Sequence, residues 1–242
     1  MSELEIANVE TFDLTLLANF VHQVVNPLNG VAGTLDNLAD GTISEERREQ
    51  RLNVARAQLE QCISLMRNLA YLARGFSKIS EDDKKVVVLP QVIIESAMFF
   101  QEEGETRKIR ISLRDRVTQN RIAGHPDLIR QVLMNVFDNC IKYGAEVSDI
   151  LVDQRIQRDS GMAIIEIRSK SRLPVSQDEM ARFFDLGFRG TNAKRIIASG
   201  TGLGLYICKK IIEVVHGGQM MVQAEGKDGL LFIIKIPDGE LR

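Results

Sequence analysis

Three groups of residues in this sequence are of types and spacings that could do chemistry. His22 stands in FVHQVVNPL, five residues ahead of Pro27, inside a run whose apolar spacing is helical. A proline in a helix interior costs roughly 3 kcal/mol, because one hydrogen bond is lost and the ring clashes with the preceding turn. Pro27 leaves the Gln23 carbonyl without its helical donor, one residue from His22. Val21 and Val24 belong to the packing seam, so His22 points off it, as an imidazole that another protein surface can reach. An exposed histidine beside a tolerated kink gives the same pattern without any chemistry.

The second group is Asn135 and Asn139, followed by Lys142 and Tyr143. Asparagines four apart share a helix face, here among Val132, Leu133, Val136 and Phe137. Buried amides need polar partners, which a magnesium ion or a phosphate would supply. Amides that face solvent or cap a loop need neither. The third group is SGTGLGLYICKK, residues 199–210. Gly200, Gly202 and Gly204 let backbone approach a ligand closely, and the helix beginning near Leu203 offers N–H groups to phosphate. The lysine and hydroxyl pair of a Walker loop is missing, and no strand leads into the loop as in a dinucleotide-binding turn.

Such residues must be carried on elements that hold them in place. From Leu14 the apolar positions run Leu17, Val21, Val24, Leu28, Val31, Leu35 and Leu38, alternating three and four. That is a heptad seam. A second seam runs Leu52, Ala55, Leu59, Cys62, Met66, Leu69 and Ala73, and ADGTISEE between them offers a glycine break and a capping box from Thr42 to Glu45. The reading is a helical hairpin. Two narrow seams bury little alone, so a second copy completing a four-helix bundle, a homodimer, is expected.

Polar FSKISEDDKK separates this hairpin from a different pattern. VVVLP leads into a helix near Pro90, and KIRISLRD alternates as a strand. RQVLMNVFDNCIKYG reads as a helix, DILVDQRIQ and MAIIEIRS as paired strands, LGLYICKKIIEVVHGG as a helix, and QMMVQAEG with GLLFIIKIP as a last hairpin. Strands and helices segregate, which favours an α+β sandwich of one mixed sheet covered by helices. The boundaries are a hairpin over 1–76, a linker over 77–85 and a second domain over 86–242.

A formal net charge of −2 with interspersed signs gives no reason to expect a nucleic-acid partner. Three widely spaced cysteines in apolar helical patterns disfavour disulfides and zinc, and fit a reducing compartment. No apolar run reaches the roughly 18 residues of a membrane span, and the acidic MSELEIANVE is unlike a signal peptide. A cytoplasmic protein is expected.

Together the three groups resemble one family, the two-component sensor histidine kinases, over about residues 12 to 238. His22 with Pro27 and Leu28 resembles the phosphoacceptor box, and NVFDNCIKYG the asparagine box. FFDLGFRG resembles the phenylalanine box, and GTGLGLYICKKIIEVVHGG the second glycine box. The resemblance implies a dimerising, histidine-bearing hairpin and an ATP-binding domain of the GHKL (Bergerat) type. It also implies that His22 attacks the γ-phosphate of ATP and passes the phosphoryl group to an aspartate on a response-regulator receiver domain. The proline is then expected to bend the helix near that site. The implied catalytic residues are His22, Gln23 and Asn26. Those implied for nucleotide are Asn135, Asn139, Lys142, Tyr143, Ser169, Gly200, Thr201, Gly202, Leu203 and Gly204, with Asn139 the ligand of Mg2+.

Two positions depart from the family pattern. The acidic residue that usually follows the histidine is Gln23, an amide that orients a ring but takes no proton. The first glycine box, with its adenine-reading aspartate, is replaced by RSKSRLPVS, where Ser169 is the nearest counterpart. Weak or altered ATP affinity follows. A phosphotransfer or regulatory module that no longer uses ATP is the alternative, disfavoured by GTGLGL. An ATPase of the chaperone or mismatch-repair type is disfavoured by the hairpin. With about a dozen residues ahead of the first helix, the expectation is either a fragment of a longer sensor or an input from a separate sensor protein or domain.

Overall fold

The three-four apolar spacing forms two long helices, α1 (Leu14–Ala39) and α2 (Glu45–Arg74). The computed structural model of the chain describes residues 14–74, 76, 79–197, 200–237 and 239–240, so MSELEIANVE, Ser77 and Lys78 of the linker, and Ser199 lie outside it. The chain divides into two compact units, residues 1–70 with 199–201, and residues 71–198 with 202–242. Among the described residues no helix is long and apolar enough to cross a membrane.

α1 runs through Pro27 as one helix. Each seam then divides by heptad position. Ala55 and Cys62 are buried, Val24, Val31, Leu38 and Leu69 are half-buried, and the Cys62 thiol donates to the Val24 carbonyl at 3.5 Å. The alternate positions, Val21, Leu28 and Leu35 on α1 with Leu52, Leu59 and Met66 on α2, stay exposed. The expected capping box does not form. Gly41, at φ 67°, turns the chain back, and the Thr42 hydroxyl donates to the Asn37 carbonyl at 2.9 Å. Thr42 therefore satisfies carbonyls left open at the end of α1, and Ser44 is the residue that precedes α2.

Among the described residues the second unit has the strands β1 (Lys85–Val88), β2 (Ile109–Leu113), β3 (Arg121–Gly124), β4 (Ser148–Gln157), β5 (Met162–Lys170), β6 (Gln219–Glu225), β7 (Gly229–Ile236) and β8 (Gly239–Glu240). Interleaved with them are α3 (Leu89–Met98), α4 (Gln101–Arg107), α5 (Pro126–Tyr143), α6 (Gln177–Ala181), α7 (Thr191–Ile196) and α8 (Gly204–Lys210), which continues as a π-turn over Ile211–Val215. The single mixed sheet expected from the sequence is instead two sheets. One has five strands in the order β2-β4-β5-β7-β6, and the other three in the order β1-β3-β8. Strands of four, four and two residues carry almost no alternation, and they form by pairing across the chain, Val87 with Ile122 and Ile122 with Gly239. Only the β2–β4 pair of the large sheet is parallel.

Period two sorts the large sheet into two faces. Ile150, Val152, Ala163, Ile165, Ile167, Phe232, Ile234 and Ile236 are buried on one side. The other carries an ion-pair ladder in which Arg168 reaches Asp153 at 2.7 Å and Glu166 at 2.6 Å, while Arg155 also pairs with Glu166. Helix α5 is packed by α3 and α8, with Phe137 edge-on to Phe100 at 6.4 Å. Its apolar stripe, Leu128, Ile129, Val132, Leu133, Val136, Phe137 and Ile141, is buried, which fixes the direction of its polar residues.

Candidate functional site

The polar residues of α5 meet the start of α8. Asn135 is buried and both ends of its amide are bonded: Nδ2 donates to the Gly204 carbonyl at 3.2 Å, and Oδ1 accepts from Gln131 at 3.1 Å. The partners expected from a metal or phosphate are thus supplied to Asn135 by protein, and its place is to tie α5 to the glycine-rich turn. Asn139, one turn on, is less buried; its Nδ2 donates to the Asn135 carbonyl at 2.7 Å. Its amide oxygen is then the atom with the character of a magnesium ligand. Lys142 is held by Asp138, Nζ to Oδ2 at 2.7 Å. Burial pulls its ammonium down, but the Asp138 charge and hydrogen bond, with Glu103, more than offset this and its pKa is raised.

The three glycines differ in what they permit. Gly202 has φ 65°, and a Cβ there would lie 2.5 Å from the Gly187 carbonyl carbon and 2.7 Å from Phe188 O. The close approach it allows is therefore to protein backbone, joining the turn to the FFDLGFRG segment. At Gly204 a Cβ would make ordinary contacts of 3.7–3.8 Å with Asn135 and Asn139. Leu203, buried, precedes α8 and accepts from Ile207 N at 2.9 Å. Ser169 is buried on the helix-facing side of β5, hydrogen-bonded to the Cys140 thiol of α5. Burial pushes that thiol up to about 12, a shift the Ser169 bond only partly offsets. Tyr143 closes α5, its carbonyl accepting from Arg172 N at 2.9 Å. A cavity of about 460 Å³ opens between α6 and α7, lined by Arg182, Lys194 and, from the FFDLGFRG segment, Leu186, Gly187, Phe188 and Arg189; none of the residues expected to hold nucleotide borders it.

In the first unit His22 and Asn26 are exposed on α1, and Gln23 is half-buried. With its amide turned so that the oxygen faces backbone donors, Gln23 accepts from Gly200 N at 2.6 Å and Thr201 N at 2.7 Å, both in this unit. The backbone N–H groups of two residues implied for nucleotide, Gly200 and Thr201, are therefore bonded to a neutral amide. The other two histidines are buried: His216 Nε2 accepts from His125 N at 3.1 Å while its Nδ1 lies 2.9 Å from Ile211 O. That pattern requires a neutral His216 ring protonated on Nδ1. Of the three imidazoles, His22 is the accessible one.

Sequence reasoning passed over Asp138, Glu103 and Arg107. Asp138 was findable, since it stands four residues ahead of Lys142 on one helix face. Glu103 and Arg107 reach α5 from α4, across more than thirty residues of chain, and no local pattern signals them. Burial, then the Asp138 charge, raise the Glu103 pKa, with Lys142 and Arg107 acting against the shift.

Residues 14–75 match the His Kinase A (phospho-acceptor) domain, and residues 124–240 match the histidine kinase-, DNA gyrase B- and HSP90-like ATPase family. The sensor protein KdpD of Clostridium acetobutylicum is 29% identical over 243 residues, covering 98% of this chain and 26% of that protein, so the chain spans about a quarter of this relative's length. The catalytic domain of histidine kinase ThkA is 25% identical, with a TM-score of 0.54 over 64% of this chain and 95% of that one. ThkA solved in complex with response regulator protein TrrA has the same fold, at 21% identity and a TM-score of 0.56 over 93% of this chain and 61% of that one. A phosphoacceptor hairpin followed in order by an ATPase sandwich, with an exposed histidine on the first and an asparagine-bearing helix against a glycine turn in the second, makes this chain a member of the two-component sensor histidine kinases.

Proposed function

We propose that the chain is the ATP-dependent, autophosphorylating core of a protein-histidine kinase, acting in the cytoplasm as a homodimer. It passes its phosphoryl group to a response-regulator receiver domain. In this reading residues 1–76 dimerise and carry the phosphate, 77–85 link, and 86–242 bind ATP. The observation that carries it is the Asn135–Gly204 bond, which ties α5 to the start of α8 and brings the Asn139 amide, through its Nδ2, to 3.8 Å from where a Cβ on Gly204 would lie.

An imidazole nitrogen of His22 attacks the γ-phosphorus; the N–P bond forms as the bond to the ADP oxygen breaks, and ADP leaves. The imidazole proton goes to solvent, because the Gln23 amide accepts no proton. The phosphoryl group then moves from nitrogen to a receiver aspartate oxygen. Asn139 would hold magnesium as a hard oxygen ligand, alongside phosphate oxygens and water. Magnesium, when bound, neutralises phosphate charge. Lys142 contributes by exchanging Asp138 for a phosphate oxygen.

Incubation with γ-labelled ATP and magnesium gives an acid-labile, alkali-stable label that is absent from His22→Ala. Label persisting in that variant refutes the assignment. Gln23, Ser169 and the Asp138-bound Lys142 favour a second reading, a phosphotransfer or regulatory module without ATP use. Calorimetric titration with Mg-ATP separates the two: heat of binding supports the kinase, and its absence supports the module.

A further inference from the structure

The last turn of α5 carries Lys142 and Tyr143, and it follows Asn139 directly. Its carbonyls face the C-terminal end of the helix, where no intrahelical donor remains. Two of them are taken by one side chain: Arg107 Nη1 donates to Ile141 O and to Lys142 O, each at 3.2 Å. Arg107 acts on the following loop as well, since its own carbonyl accepts from Val147 N at 3.3 Å. Val147 is a β-branched residue at φ 57°, in the left-handed region such side chains avoid, and it is 75% exposed. A strained, solvent-facing position of this kind persists only where neighbours hold it. The loop is tight at its start too, for a Cβ on Gly144 would lie 2.2 Å from Cys140 O.

Helix α4 is built to make this reach. Gly104 packs so closely on β2 that a Cβ would lie 2.5 Å from Ile109 O, and Lys108 ends the helix at φ 57°. The charges of Asp138 and Lys142 on α5 act on Glu103, one turn before Arg107. A cation whose terminal nitrogen donates to two carbonyls at a helix end also opposes the negative end of the helix dipole.

We propose that Arg107 is a positioning residue for the nucleotide site, clamping the last turn of α5 and the loop after it so that Asn139, Lys142 and Tyr143 are held in place. This rests on the reading of those three residues as nucleotide-binding. Arg107 touches no substrate itself.

The full chain is compared with Arg107→Met and Arg107→Lys by calorimetry with Mg-ATP and by amide hydrogen exchange without nucleotide. Arg107→Met is expected to raise the Kd for Mg-ATP about tenfold, the scale of one charge-assisted hydrogen bond. Exchange should quicken over residues 141–147 and stay unchanged over 128–136. Arg107→Lys, which keeps a charged donor at the same carbonyls, should recover most of the affinity. A merely structural role predicts faster exchange along all of α5 with an unchanged Kd, and that result overturns the proposal. If the wild-type chain binds no Mg-ATP, the kinase reading falls separately. The exchange map then decides on the clamp: quickening confined to 141–147 in Arg107→Met supports it, and an unchanged map overturns it.

Discussion

Replacing Leu59 by glutamate should dissociate the protein without unfolding its hairpin, whereas replacing Val24 should do the reverse. Both lie on the heptad seams, and sequence alone treats them as equivalent. The structure separates them. Val24 is half-buried, and its carbonyl accepts the thiol of Cys62, which is fully buried. Leu59 belongs to the stripe Val21, Leu28, Leu35, Leu52, Leu59 and Met66, whose members are 40% to 53% exposed. Fully burying such a side chain contributes ~1.5–3 kcal/mol, so covering the exposed half of one stabilises a bundle by about 1 kcal/mol. In a symmetric dimer Leu59→Glu removes this twice, about 2 kcal/mol, and buries two charges without partners at about 3 kcal/mol each. A total near 8 kcal/mol weakens the dimer by about five to six orders of magnitude. Sedimentation equilibrium should show monomers for Leu59→Glu at concentrations where the wild type is dimeric, with helical circular dichroism unchanged. Val24→Glu should lose helicity and melting temperature, and Val117→Glu, at an exposed position of the sandwich, should alter neither. A Leu59→Glu protein that remains dimeric would place the interface on another face and refute this division of the seam.

Two further outcomes follow from the sandwich. Ser169→Asp puts a carboxylate in a buried position beside the uncharged Cys140 thiol, so its melting temperature without nucleotide should fall; ATP, whose amino group pairs with the new acid, should then tighten by roughly one to two orders of magnitude while GTP does not. A wild-type chain that binds ATP tightly and excludes GTP would mean that another residue reads the base. The hydrogen bond from Arg155 first, and that from Arg168, hold the Glu166 carboxyl below its ordinary value despite the opposing effect of burial. A depressed folded pKa contributes stability above the unfolded value of about 4.3 and loses it as pH falls through the folded one. Melting curves of wild type and Glu166→Gln should therefore differ at neutral pH and converge on acidification, and a gap that stays constant with pH would count against the ion ladder.

Periodicity and motif order alone determined much of this protein. The two hairpin helices, the long strands β4, β5 and β7, helix α5 with its asparagines, and the glycine turn before α8 all announce themselves within windows of ten to twenty residues, because a buried stripe or face repeats locally. His22 stood out for the same reason, as a polar residue one step off a regular seam. Tertiary structure decided what depends on residues distant in the chain. The short strands β1, β3 and β8 exist only through each other, so a second sheet was not legible. The seam residues were legible as a set, but their division into inward and outward halves required the path of the partner helix. Asn135 and Asn139 share one helical pattern and local bonds four residues apart, and only the approach of Gly204, sixty-nine residues away, makes the first a tie between elements. Arg107 is the extreme case: two carbonyls thirty-four and thirty-five residues away define its place, and hydrogen bonds of that span leave no trace in local spacing.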